Sequence, residues 1–222
     1  NPARQAAYRS GIPKEKPAYV VNQVCGSGIR SIASGFQSVK SGDSKIVVAG
    51  GQESMSMAPH AIHIRDGKKL GDAEIVDTMI KDGLWDAFHG YHMGITAENV
   101  AKKFNISRKE QQDFAISSHS KANLARESNL FDNEIVSITN NDEKINKDGG
   151  IRPNTSHEIL DGLKLAFDEN GTVTAGTASP LTDGASAVIV CEEEYAKKNN
   201  LNILARIKST AVVGCPPELM GL

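Results

Sequence analysis

Apolar positions in this chain fall into short unbroken runs and into stretches at helical spacing, and the two kinds alternate. Asn1 followed by Pro2 predicts a helix start, with Ala3 to Tyr8 as its body and Gly11 as its stop. Ala18-Tyr19-Val20-Val21, introduced by Pro17, predicts a short buried strand. Ile29, Ile32, Ala33, Phe36 and Val39 then stand at helical spacing as far as Gly42, and Ile46 to Ala49 predicts a second strand that runs into Gly50-Gly51. Strand, helix and strand in this order predict a right-handed βαβ unit on a parallel sheet.

From Gln52 to Asn154 the pattern changes. Helices are predicted over Glu74 to Lys81, Ile95 to Phe104 and Arg108 to Glu127, the last opened by a capping box of Ser107 and Glu110. Glu134 to Thr139 alternates like a strand, and Asn140 to Gly150 is polar and turn-rich. Such a long excursion between sheet elements reads as an insertion that carries binding loops. Ala187 to Cys191 predicts another buried strand, Glu193 to Lys198 a charged helix, and the β-branched stretch Leu204 to Val213 a final strand.

Composition narrows the class. With 39% hydrophobic and 23% charged residues the chain reads as a folded α/β protein rather than a disordered one. A net charge of −2, from 25 Lys and Arg against 27 Asp and Glu, gives no electrostatic reason to bind nucleic acid. No apolar run approaches the roughly 20 residues that span a bilayer, so no membrane partner is expected. Three widely spaced Cys do not form a disulfide framework, which points to a reducing compartment. The start without Met and the apolar finish at Leu219-Met220-Gly221-Leu222 read as a piece of something longer.

The sharpest chemical signal is Val21-Asn22-Gln23-Val24-Cys25-Gly26-Ser27-Gly28, a cysteine poised between a strand and a helix. A helix N-terminus offers unpaired N–H groups and partial positive charge, and both favour a thiolate. Gly26 and Gly28 remove side chains where an acyl group would approach, and the Cys25 N–H is placed to donate to a developing oxyanion. The plainer alternative is a small residue filling a strand–helix corner. His60 and His63 lack a third ligand at metal spacing, so no metal is expected. Cys191 reads as a core residue.

The run Val21 to Gly28 resembles the nucleophile segment of the thiolase family. The resemblance continues through Gly50-Gly51-Gln52-Glu53-Ser54-Met55-Ser56, Asp82-Gly83-Leu84 and Tyr91-His92-Met93-Gly94-Ile95-Thr96-Ala97-Glu98-Asn99. It extends to Gly171-Thr172-Val173-Thr174-Ala175-Gly176, Ala178-Ser179 and Asp183-Gly184-Ala185. These runs keep the family's order over nearly the whole chain, and the His92-Met93 pair is most similar to the biosynthetic acetoacetyl-CoA thiolases. The resemblance implies an α/β fold, a thiolase-like layered αβαβα sandwich. This chain would be mostly its first βαβαβαββ half, with residues 1–53 opening the core half, 54–170 as an inserted CoA-binding loop domain and 171–222 as the remainder. It also implies a ping-pong acyl transfer in which Cys25 is acetylated by one acetyl-CoA and attacked by the enolate of a second, giving acetoacetyl-CoA, with thiolysis as the reverse.

For the substrate the resemblance implies that His92 and Met93, with Leu84, line the pantetheine tunnel, that Ser179 contacts pantetheine, and that Ala175 and Phe167 form its wall. Arg152 matches a residue on the CoA nucleotide. The alternatives left by the residues alone are a helix cap for His92, a turn hydroxyl for Ser179 and a solvated loop charge for Arg152. Ile159, Pro153 and Thr177 depart from the family pattern around the nucleotide. Cys215 lacks the glycine-rich run of the family's second catalytic Cys, and the Gly-His-Pro, Asn-Glu-Ala-Phe and Cys-x-Gly-Gly-Gly runs of the family's second half do not occur here. The segment alone is therefore expected to be catalytically silent. No cofactor beyond the coenzyme A thioester substrate is expected. A homotetramer or dimer and a bacterial-type cytoplasmic location, or a mitochondrial one in a eukaryote, follow from the family likeness. The competing readings are a 3-ketoacyl-CoA thiolase of fatty-acid β-oxidation, a β-ketoacyl synthase dependent on acyl-carrier protein, and a CoA-binding relative without turnover.

Overall fold

The computed structural model describes residues 1–222. Its elements run in chain order as α1 (Pro2–Arg9), α2 (Ser27–Ser41), β1 (Ile46–Ser54), β2 (His60–Ile62), β3 (Ile75–Asp77), β4 (Trp85–Asp86), β5 (Tyr91–His92), α3 (Gly94–Phe104), α4 (Arg108–Glu127), β6 (Ile138–Asn140), β7 (Glu143–Ile145), α5 (His157–Asp161), β8 (Asp183–Cys191) and α6 (Glu193–Lys198). A π-helical turn at Ile80–Leu84 leads into β4. The chain forms two compact units, residues 1–58 with 182–213 and residues 59–181 with 214–222.

In the first unit, α1 starts where the sequence places it: the Asn1 side chain accepts the Arg4 N–H at 3.0 Å and Pro2 opens the first turn. Helix α2 ends at Gly42, whose φ of +83° gives the left-handed cap. Strand β1 pairs antiparallel with β8 over their full length, from Ile46 opposite Cys191 to Ser54 opposite Asp183. Helix α2 lies on β1 by way of small residues: Gly28 meets Gly51 backbone to backbone, and Gly35 meets Val47 and Ala49. Ala33, Ala49, Val190 and Ala196 form the buried core of this unit. The Ser31 hydroxyl donates to the Gly50 carbonyl at 2.8 Å and ties helix to strand.

The expected parallel βαβ unit is not formed. Residues 18–21 carry no strand pairing, Tyr19 and Val20 are exposed, and β1 takes β8 as its antiparallel neighbour instead. Residues 204–213 likewise carry no strand pairing. An apolar run specifies a pleated surface, but a strand also needs a ladder partner, and these two runs find none within the chain.

In the second unit, α3 and α4 match their predicted spans to within a residue, and the Ser107–Glu110 capping box is present with both of its reciprocal bonds. The helix predicted over Glu74 to Lys81 is replaced by β3 and the π-turn. The Asp77 carboxylate accepts the Met79 N–H at 2.9 Å, and Thr78 bonds the Pro59 carbonyl through both its amide and its hydroxyl. Short polar side chains that capture nearby backbone groups compete with helix in this way. The strand predicted over Glu134 to Thr139 shrinks to β6, which pairs with β7 inside the expected loop. The buried Glu98 of α3 accepts the amides of Thr172 and Val173 at 2.8 Å each, and residues 171–181 group with this compact unit. Asn99 similarly holds the Glu218 carbonyl at 3.0 Å. Arg108 donates to the Leu160, Asp161 and Leu163 carbonyls, and so closes the C-terminal end of α5 on α4.

A Cβ on Gly50 would lie 2.3 Å from the Ser186 carbonyl oxygen, whereas one on Gly28 would meet the Gly51 Cα at an ordinary 3.9 Å. Gly50→Ala is therefore expected to cost about 1–3 kcal/mol through strain on the β1–β8 ladder, read as a lowered thermal midpoint. Gly28→Ala should leave the midpoint in place or raise it. Equal midpoints for both variants would contradict this packing.

The Ser56 hydroxyl, followed by its amide, holds the Asp183 carboxyl below the ordinary carboxylate range. A carboxyl depressed in the folded state adds stability above its unfolded value, and that stability disappears as pH falls through the folded one. In acid titrations below about pH 4, Ser56→Ala should flatten the loss of stability that the wild-type chain shows. Superimposable wild-type and variant acid limbs would exclude the linkage.

Candidate active site

Cys25 sits on a tight elbow just ahead of α2. The backbone turns at Val24, whose φ of +48° is left-handed. The Asn22 side chain accepts the Val24 N–H at 2.9 Å, and the Ser27 hydroxyl accepts the Gln23 N–H at 2.8 Å while donating to the Val24 carbonyl at 2.6 Å. Gly26 is the N-cap of α2, so Cys25 lies next to the unpaired amides of that helix and is exposed. Solvent access, a helix N-terminus and glycine neighbours make this the thiol best placed to act as a nucleophile. Cys191 is half-buried in β8 and Cys215 is exposed; all three cysteines are free. The sequence singled out Cys25, but the roles of Asn22 and Ser27 depend on the sign of φ at Val24, which residue patterns do not give.

The other predicted site residues lie in the second unit. The π-turn and the β4–β5 hairpin bring Leu84 and Met93 together: the Met93 N–H donates to the Leu84 carbonyl at 2.8 Å. The hairpin is held at its tip by Asp86, which accepts the Phe88 and His89 amides and meets the His89 ring at 2.9 Å. His92 is half-buried, and its Nδ1 accepts the Gly94 N–H at 3.0 Å, so it does cap α3. In a neutral ring the remaining proton then sits on Nε2, which is left to act as a donor.

The Phe167 ring stacks on His92 with centroids 5.0 Å apart and planes 18° from parallel. A Cβ on Gly94 would enter the Phe167 ring at 2.3 Å, so the glycine is what admits the ring against the start of α3. Phe167 lies in a reversal in which the Ala166 N–H donates to the Val173 carbonyl at 2.9 Å, and Glu98 fixes that reversal to α3. Ala175 is exposed on the next turn, which closes through Thr177: its hydroxyl accepts the Thr174 N–H at 3.0 Å. Thr177, a departure from the family pattern, thus has a local role. Gly176 rests on Leu160 of α5, where a Cβ would come within 2.4 Å of Leu160 Cδ2.

Arg152 is anchored separately. Its amide donates to His119 Nδ1 of α4 at 3.2 Å, and its guanidinium side is exposed. Ser179 is exposed, as is Ile159 on α5. The structure therefore joins Leu84 with Met93 and His92 with Phe167, and carries Arg152, Ala175 and Ser179 on loops of the same unit. Sequence reasoning missed Gly94 and Glu98 as supports; a Gly opening a helix and a Glu in its second turn were the available signals. No cluster of His, Cys, Asp and Glu in the structure is arranged to hold a metal ion. No helix is long and apolar enough to cross a membrane.

The same backbone occurs in solved structures. The chain aligns with human mitochondrial 3-ketoacyl-CoA thiolase, solved in complex with CoA, at a TM-score of 0.94 and 41% identity over 99% of this chain and 56% of that one. It aligns with the Bacillus anthracis acetyl-CoA acetyltransferase at a TM-score of 0.93 and 41% identity, over 100% of this chain and 57% of that one. The chain has the thiolase fold. Residues 1–194 match the family described as thiolase, N-terminal domain, and the chain belongs to the thiolase family. Among curated relatives, the acetyl-CoA acetyltransferase of Paracoccus denitrificans is 52% identical and that of Rhizobium meliloti 50% identical, each over all of this chain. The chain spans 58% and 57% of the lengths of those two proteins.

Gly94→Ala is expected to displace the Phe167 ring from His92. Loss of the ring-current shift on the His92 ring protons in NMR spectra would report it. Unmoved His92 signals would show that the glycine is not what admits the ring.

Proposed function

We propose that this chain forms the nucleophile-bearing part of an acyltransferase that condenses two acetyl-CoA into acetoacetyl-CoA and CoA, reversibly, through an acetyl-Cys25 intermediate. The observation that carries the reading is the exposed Cys25 on its elbow at the start of α2, in a chain about half identical to proteins named acetyl-CoA acetyltransferase. The Cys25 thiolate attacks the acetyl-CoA carbonyl, an S–C bond forms, and CoA leaves as a thiolate that takes up a proton. The second acetyl-CoA gives its α-proton to a base. Its carbanion then forms the new C–C bond at the Cys25 thioester and expels the Cys25 thiolate. A thioester intermediate suits this chemistry, because it stays electrophilic after the first CoA has departed. The base and the proton donor belong to the family runs that do not occur among these residues.

For the substrate, the reading assigns the inserted unit to CoA. His92, stacked on Phe167 with Nε2 left to donate, faces the pantetheine and thioester end. Leu84, Met93, Ala175 and Ser179 line the same apolar slot, which needs few polar groups, and Arg152 meets the nucleotide. The reaction uses no cofactor beyond its thioester substrates and serves lipid metabolism in the cytoplasm, in a homotetramer or dimer. A 3-ketoacyl-CoA thiolase is the second reading, supported by the likeness to the human mitochondrial enzyme; turnover that favours long 3-ketoacyl chains over acetoacetyl-CoA would select it.

A ping-pong enzyme exchanges labelled CoA into acetyl-CoA without net condensation. At the protein's full natural length, Cys25→Ala is expected to slow this exchange more than about 10³-fold. Exchange that persists at the wild-type rate would remove Cys25 from the reaction.

A further inference from the structure

We propose that Asn22 and Ser27 are positioning residues that hold the Cys25 elbow in a strained backbone state, an inference that rests on the acyl-carrier reading above. Val24 is β-branched and has a φ of +48°. Left-handed backbone is rare for such a residue, and it persists only where its surroundings fix it. Here the surroundings are two side chains. The Asn22 Oδ1 takes the Val24 N–H at 2.9 Å, and the Ser27 hydroxyl takes the Val24 carbonyl at 2.6 Å. Both polar groups of the strained residue are therefore bonded to side chains. The Ser27 oxygen also accepts the Gln23 N–H at 2.8 Å, so one hydroxyl spans both peptide units flanking the turn. Two backbone bonds, from the Gly26 N–H to the Gln23 carbonyl and from the Ser27 N–H to the Val24 carbonyl, complete the loop.

The consequence falls on Cys25. A left-handed residue directly before it reverses the chain between the incoming segment and α2, and this sets where its thiol points relative to the helix amides. If Val24 relaxed to ordinary φ, the Cys25 peptide would rotate and the thiol would leave its place beside the start of α2. Neither Asn22 nor Ser27 needs to touch substrate. Their part is to keep a backbone conformation that Val24 alone disfavours.

The test uses the protein at its full natural length and iodoacetamide as the probe. Peptide mapping reads the alkylation rate of Cys25 relative to exposed Cys215 at one fixed pH. Ser27→Ala is expected to slow Cys25 relative to Cys215 by about 2- to 5-fold, and Ser27→Thr, which keeps the hydroxyl, is expected to restore the wild-type ratio. Val24→Gly placed in the Ser27→Ala background is also expected to restore it, because glycine adopts positive φ without strain. Half-buried Cys191 in β8 reports folding. If its alkylation rises in Ser27→Ala, Asn22→Ala is read in its place with the same expectations. A wild-type ratio in a folded Ser27→Ala or Asn22→Ala variant overturns the proposal, and so does a slowed Cys25 that Val24→Gly fails to restore. Acyl transfer to Cys25 is measured separately with acetyl-CoA, so the acyl-carrier reading and the clamp fail on different observations.

Discussion

The close approach of α2 to β1 is the constraint on which the first unit depends. Gly28 and Gly51 bring the two backbones together, with the tight side at Gly51, where a Cβ would come within 3.2 Å of the Gly28 Cα, and Gly35 repeats the close approach two turns on against Val47 and Ala49. Gly50, in the same strand, lies against the Ser186 carbonyl of β8, so one glycine pair serves both the helix and the ladder. Because the helix is seated this low, its first turn is fixed relative to the strand, and so is the residue just before it. The position of Cys25 follows from that seating and from the elbow that leads into it.

The second unit is organised by polar anchors as much as by apolar packing. Its buried side chains include Glu98, Gln112, Thr96 and Thr174 beside Leu160 and Val173. Glu98 fastens the 172–173 segment to α3, and Gln112 donates to Asp161 at 3.0 Å to tie α4 to α5. A buried carboxylate is tolerable only when its lone pairs are filled, and here two amides and the Thr172 hydroxyl fill them. These anchors set Phe167 against His92, and the stacked pair leaves one imidazole nitrogen to donate. The proposed CoA-facing residues thus hang on loops whose geometry is fixed by hydrogen bonds to helices.

Local signals in the sequence were reliable where local physics decides. The Asn1 cap, the left-handed Gly42 and the Ser107–Glu110 capping box each settle an orphaned backbone group within a few residues, and each appears where the pattern put it. The strands were less legible. Ala18 to Val21 and Leu204 to Val213 have strand composition, yet pairing depends on a partner distant in sequence, and the same ignorance turned an antiparallel β1–β8 ladder into an expected parallel unit. The 74–81 stretch failed as a helix because Asp77 and Thr78 captured backbone groups locally. In the site, Cys25 was legible from its glycines and its place before a helical run, and family likeness named the residues around it. That His92 caps α3 while stacking on Phe167 was not legible, since the two residues meet only after the 166–173 reversal forms.

One thiol among the three that the chain carries bears the proposed acyl transfer. The direct measurement is to incubate the protein at its full natural length with acetyl-CoA labelled in the acetyl group, quench and digest it in mild acid, and locate the label by peptide mass spectrometry. The elbow geometry predicts label on Cys25, with Cys191 and Cys215 unmodified. Label on Cys191 or Cys215 with Cys25 untouched would contradict it.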